Sequence, residues 1–245
     1  MSAALAPWIH THIAFADALG LTGSMDFVFM LTRSDQTVTD CLEVLEEIRP
    51  VGLTHIGFKD IGVPPEVLGE LRRRITAMGA ISYMEVVSTS AEACLRSAQV
   101  ARDIGIDRLL GGTQVDEVLR LLDGSAVQYH PFPGQPFGHP TKLAGTAAKV
   151  EADCRQFAAK GCAGVDLLAY RATEADPLEL VRAARRGTPG YLLVAGSVST
   201  KEQIRALAEA GADAFTIGSA AFDGSFSPLK GSLRSQLRDI LDACT

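Results

Sequence analysis

The chain lacks most of the features that mark a macromolecular partner. It has no run of Lys or Arg, and its formal net charge is -6 at pH 7. That argues against nucleic acid and against an anionic membrane as partners. No apolar stretch approaches the ~20 residues that cross a bilayer. The five cysteines, Cys41, Cys94, Cys154, Cys162 and Cys244, are odd in number and none stand in a C-x-x-C pair. They read as reduced thiols of a cytoplasmic protein, not as a disulfide frame or a zinc site. Residues 1–23 are mildly apolar but lack a basic n-region, so an arm or extra helix is expected there and a signal peptide is not. No Pro/Gly/Ser-rich linker divides the chain, so one domain over 1–245 is expected.

What is present is a repeated unit. Hydrophobic residues make up 47% of 245 residues, enough for a sizeable core, and a (β/α)8 barrel takes about 250. Strands are expected at Asp26–Leu31, Leu53–Phe58, Ala80–Val87, Arg108–Gly111, Ala126–Tyr129, Ala163–Ala169, Tyr191–Ala195 and Ala214–Ile217. Helices are expected over 38–49, 65–78, 90–104, 114–123, 144–160, 175–186, 200–210 and 228–243. Strict alternation of this kind implies a parallel sheet. A single (β/α)8 TIM barrel with an N-terminal extension is the expected fold, and an open doubly wound sheet is its rival, since element order does not show closure.

The junctions repeat too. Thr37-x-x-Asp40, Thr89-x-x-Glu92, Thr113-x-x-Asp116, Thr173-x-x-Asp176 and Ser199-x-x-Glu202 each predict a capped helix start. Gly79, Gly105, Gly161 and Gly211 are placed as helix ends.

The last quarter carries the clearest ligand signal. Two apolar strands end in Gly196-Ser197 and Gly218-Ser219, where neighbouring backbone N–H groups can hold a phosphate. The stretches 194–204 and 208–221 resemble the last two strands of the ribulose-phosphate-binding barrel superfamily. That group includes histidine- and tryptophan-biosynthesis isomerases, pentose-phosphate epimerases, hexulose-phosphate synthases and N-acylmannosamine-phosphate epimerases. The resemblance implies a barrel with a phosphate site at those glycines. Ile56–Asp60 followed by Val86–Glu92 is similar to the strand-end lysine and helix start of the N-acylmannosamine-phosphate epimerases.

Polar residues at the remaining strand ends are candidates for chemistry. Lys59 closes strand two, and a partly desolvated ammonium is expected to shift toward a useful base. Glu85 and Asp166 are mid-strand acids to pair with it, and His130 ends strand five as an acid/base candidate. Period two puts His55, Gly57 and Lys59 on one face, and Asp166, Leu168 and Tyr170 on another. His55 reads as a core histidine. The proline-rich loop 130–142 reads as a lid. Arg33 and Arg171 are candidate clamps for a second anionic group. His55, Asp60, Glu85, His130 and Asp166 could ligate a divalent ion, but no two of them stand at a tight metal-binding spacing. No cofactor is required by this set.

The expected function is an isomerase or epimerase of a small phosphorylated sugar, working by proton transfer alpha to a carbonyl. A carbon–carbon lyase, aldolase or decarboxylase, is the alternative on the same scaffold. A non-catalytic phosphometabolite-binding barrel is a third. Many barrels form homodimers, and no sequence stripe marks an interface here.

Overall fold

Parallel strands buried on both faces read as near-continuous apolar runs, and eight such runs form the inner wall. The computed structural model describes residues 25–245, so the expected arm at 1–23 lies outside the described residues. The wall comprises β1 (Asp26–Met30), β2 (His55–Lys59), β3 (Ile81–Val86), β4 (Arg108–Gly111), β5 (Gln128–His130), β6 (Gly164–Leu167), β7 (Tyr191–Val194) and β8 (Ala214–Ile217). All pairings are parallel, in the order β6-β7-β8-β1-β2-β3-β4-β5. The two outer strands meet: the Ala163 amide donates to the Tyr129 carbonyl at 3.0 Å, and the Asp166 amide to the Pro131 carbonyl at 3.1 Å. These bonds bring the sheet round into a barrel and set aside the open doubly wound alternative.

The helices are α1 (Cys41–Ile48), α2 (Pro65–Ala77), α3 (Ala91–Ile104), α4 (Val115–Leu122), α5 (Ala147–Ala159), α6 (Pro177–Gly187), α7 (Lys201–Ala210) and α8 (Leu233–Leu241), with a short turn of helix at Ser219–Phe222. Outward strand residues such as Phe29, Ile56, Phe58, Met84 and Phe215 pack with Leu45, Leu71, Ile75, Leu207 and Leu237 of the helices in one buried core. Each such side chain contributes about 1.5–3 kcal/mol by burial. Among the described residues no helix is long and apolar enough to cross a membrane. All five cysteines are free, and burial pushes the Cys154 thiol up to about 12.

Several local expectations shift. Gly79, Gly105, Gly161 and Gly211 do end their helices at positive φ. The side-chain caps, however, sit elsewhere: the hydroxyls of Ser90, Thr146 and Thr200 and the carboxylate of Asp176 accept first-turn amides of α3, α5, α7 and α6. Thr89, Thr113 and Ser199 are not caps, and Thr37 and Thr173 bond to the backbone of Lys59 and Leu143 instead. The reason is a slip in register. Glu92, Asp116 and Glu202 lie within the first helical turn, where acid favours the dipole, and Asp176 is itself the cap. β6 ends at Leu167, so Tyr170 lies on a 3-10 turn, Ala169–Arg171, and not on the inward face with Asp166. α5 starts at 147, after its expected start at 144, because Gln135–Phe137 and Lys142–Ala144 pair as an antiparallel ribbon.

Candidate active site

Lys59 is the last residue of β2, paired in register with Glu85 of β3. Paired residues in a parallel sheet point the same way, so both enter the barrel. The Lys59 Nζ lies 2.8 Å from Asp35 Oδ1 and 3.2 Å from Glu85 Oε1. Asp35 comes from the turn after β1, where Thr32–Arg33 and Gln36–Thr37 form a tiny hairpin around Ser34 and Asp35. Those two central residues have φ of 49° and 59°, the left-handed pair a two-residue hairpin requires. Non-glycine residues held there often mark functional sites. Arg171, on the turn after β6, forks onto Asp35: Nη1 to Oδ2 and Nη2 to Oδ1, both at 3.0 Å. Its Nη1 also donates to the Thr141 carbonyl of the ribbon at 3.2 Å.

Two cations and two anions are thus packed where water scarcely reaches, with Lys59 and Glu85 each only 5% exposed. Burial of Asp35 favours its neutral form, but Arg171 and Lys59 outweigh this and hold its carboxyl well below the usual range. Burial likewise works against the Lys59 charge, yet Glu85 and Asp35 prevail and raise its pKa. The expectation that desolvation makes Lys59 a base is therefore reversed. With two carboxylates in contact, Lys59 is a fixed ammonium.

Asp166 lies beneath this cluster, fully buried, with neither carboxyl oxygen hydrogen-bonded among the described residues. Burial, then the Glu85 charge, pushes its pKa well above the carboxylate range. That favours its neutral form.

His130 is not in this group. Its ring meets the Tyr191 ring edge-on at 5.8 Å, and burial, with Arg108 nearby, holds its pKa at about 4. It joins a lower polar layer: Arg108 stacks on Tyr191 at 4.0 Å and donates to the Tyr83 hydroxyl, which also bonds His55 at 2.8 Å. Tyr191 in turn donates to Asp26 at 2.8 Å. His55 is thus a satisfied core histidine, as expected. His130 shares a hydrogen-bonding row with Leu110 and Glu85, but strand tilt staggers such a row along the barrel axis. A strand-end position therefore does not guarantee a place at the mouth.

Above the cluster is a cavity of about 330 Å³ lined by Asp35, Lys59, Glu85 and Arg171 together with Gly196, Ser197, Gly218 and Ser219. The four backbone amides at 196, 197, 218 and 219 donate to no acceptor among the described residues. Gly196, at φ 79°, lies so close to the Arg171 guanidinium that a Cβ would strike its Nε. At Gly218 a Cβ would come within 2.7 Å of Thr32 Oγ1 and 2.9 Å of its carbonyl. The Gln203 side chain accepts from the amides of Ser199 and Thr200 at 2.8 and 3.1 Å, folding the loop after β7 into place.

Other candidates fall outside. Arg33 is half exposed, bonding the Phe222 carbonyl at 3.2 Å, stacking on the Phe222 ring at 4.7 Å and lying 3.8 Å from Asp223. It pins the β1 turn to the short helix and does not line the cavity. Asp60 accepts from Ser97 and from the Val87 amide, holding α3 to the sheet. With His55 and His130 in the lower layer, the five possible metal ligands are dispersed. Among the described residues no group of three His, Cys, Asp or Glu converges. Asp35 escapes sequence reasoning; its signal is an acid flanked by turn-forming residues at the end of β1.

No family model matches the sequence, and no curated protein matches it. Among solved structures, an orotidine 5'-phosphate decarboxylase from Pyrococcus horikoshii OT3 is similar in fold, with a TM-score of 0.62 at 13% identity over 89% of this chain and 98% of that one. In all, 611 solved chains match, so the likeness bears on architecture and leaves chemistry to the site. In fold, the chain is a (β/α)8 barrel.

Proposed function

We propose that this barrel is an enzyme acting on a small phosphorylated metabolite, and that it is a carbon–carbon lyase. The observation that carries the reading is one cavity lined both by unspent backbone amides and by a clamped ammonium. The amides of Gly196, Ser197, Gly218 and Ser219 hold the phosphate. The rest of the substrate extends over Lys59. At about 330 Å³ the space suits a small sugar phosphate, near the lower end of ligand pockets.

When the bond to a carboxylate carbon beside Lys59 breaks, that carbon leaves as carbon dioxide and the electron pair stays on the substrate carbon. The fixed positive charge of Lys59 stabilises the carbanion, the Nζ proton forms the new C–H bond, and Lys59 takes a proton back from solvent. Asp35 and Glu85 keep Lys59 charged beforehand and aim it, so the barrier is lowered by a charge already in place. No step calls on a cofactor. The decarboxylase named among the solved structures supports this class of reaction. A Schiff-base aldolase is disfavoured, because that route needs a neutral Lys59 amine.

Glu85, a carboxylate on the cavity wall, favours a second reading: aldose–ketose isomerisation, with Glu85 taking the proton alpha to a carbonyl and Lys59 polarising the carbonyl. Epimerisation by inversion has less support. It calls for groups on opposite faces of the carbon, and Glu85 and Lys59 stand 3.2 Å apart on one side.

The test is a screen of phosphorylated sugar acids, aldol-type sugar phosphates and orotidine 5'-phosphate for bond cleavage, run in deuterated water. Cleavage with one solvent deuteron placed on the product carbon is expected, together with a loss of at least about 10²-fold in kcat for Lys59→Ala. Deuterium exchange without cleavage would turn the assignment to isomerase. A Lys59→Ala protein that binds and functions like the wild type would favour a non-catalytic binding barrel.

A further inference from the structure

Arg171 and Ser197 each face two cavities. Beyond the one over Lys59, a second of about 450 Å³ opens between the ribbon and the turn after β6, lined by Pro140, Thr141, Lys142, Tyr170 and Thr173 as well as the two shared residues. The Arg171 bond to the Thr141 carbonyl fixes the wall between them. The two compartments differ in charge. In the first, Asp35, Glu85 and Asp223 offset Lys59 and Arg171. The second has two cations and no acid in its lining.

Arg171 is already spent on Asp35. Lys142 is not spent: Lys59, Lys149, Lys160 and Lys230 have carboxylate partners, whereas Lys142, like Lys201 at the start of α7, has none among the described residues. The nearby acids are otherwise engaged. Glu174 accepts from the Gly145 amide at 3.1 Å, and Asp176 caps α6. An uncompensated ammonium beside a half-buried tyrosine, in a compartment continuous with an anion-binding loop, selects for negative charge.

We propose that the substrate carries a second anionic group, a carboxylate or a phosphate, which binds at Lys142 while the first phosphate is held at Gly196 and Ser197. The inference rests on the phosphate site of the proposed function. It adds that the ligand is a metabolite with an anionic group at each end, one in each of the two compartments that share Arg171 and Ser197.

Calorimetric titration tests it with paired probes: ribose 5-phosphate against ribulose 1,5-bisphosphate, glucose 6-phosphate against 6-phosphogluconate, and inorganic phosphate alone. In the wild type, the two-anion member of at least one pair should bind about tenfold tighter. Which pair shows the preference tells phosphate from carboxylate. Lys142→Ala, a change at an exposed side chain, should erase that preference and leave inorganic phosphate and the single-anion sugars unchanged. Equal affinity within both pairs, or a preference that survives Lys142→Ala, overturns the inference while the phosphate site stands. Absence of any phosphate binding removes the phosphate site and this inference with it.

Discussion

Asp35 meets two cations at once, the Lys59 ammonium at 2.8 Å and the Arg171 fork at 3.0 Å, from a side chain only 6% exposed. Breaking a buried ion pair by removing one partner leaves a charge without compensation and costs about 3–5 kcal/mol. Asp35→Asn keeps the shape and loses the charge, leaving two cations to share Glu85. It should therefore unfold in urea with about 3 kcal/mol less stability; an unchanged midpoint would show that the cluster is not a coupled unit. Asp166 makes the opposite case. The folded protein keeps its proton to higher pH than the unfolded chain does. Stability is then fully present below the ordinary carboxylate pKa and falls as pH rises toward the folded value. Asp166→Asn removes that titration, so its stability relative to wild type should improve as pH rises above the ordinary carboxylate range. A difference independent of pH would mean that Asp166 is ionised in the fold. Lys59, Glu85 and Asp166 were legible because a charge amid Val and Leu in a strand demands an explanation. Asp35 was not, because a polar residue in a turn demands none.

At the level of elements, the alternation of apolar runs with amphipathic stretches was readable because each strand is buried on both faces. Helix ends were readable because glycine supplies the positive φ they need. Helix starts slipped by one or more residues, since Thr and Ser stand next to one another or to acids at these junctions and local sequence does not rank them. The two alternatives for α3 separate cleanly. Ser90 accepts the Ala93 amide at 3.3 Å, so Ser90→Ala should cost about 1 kcal/mol. Thr89→Ala should cost almost nothing in the same thermal unfolding series, and the reverse ranking would contradict the capping assignment. The ribbon at 135–144 was not legible. Its strands are three residues each, one of them interrupted by Pro136, and fixed by partners distant in sequence, such as the Leu143–Ala172 bridge.

Across the whole molecule the barrel interior is divided between two polar layers. The upper one is a charge-balanced set at the cavity floor; the lower one joins Asp26, His55, Tyr83, Arg108, His130 and Tyr191 through hydrogen bonds and ring contacts. Which inward residue belongs to which layer depends on strand tilt and stagger, quantities set by closure of all eight strands and not by any one of them. That is why His130 could be placed at the end of a strand and still be misassigned to the mouth. At the proposed phosphate loops the glycines answer to packing: a Cβ at Gly196 would meet the Arg171 side chain, and one at Gly218 would meet Thr32.

The account stands or falls on those loops, and the most direct measurement is an amide-resolved NMR titration of the 15N-labelled protein with inorganic phosphate. The account predicts that the amide resonances of Gly196, Ser197, Gly218 and Ser219 move together and saturate with one dissociation constant. Shifts confined to other parts of the surface, or none at phosphate concentrations that saturate ordinary sugar-phosphate sites, would contradict it.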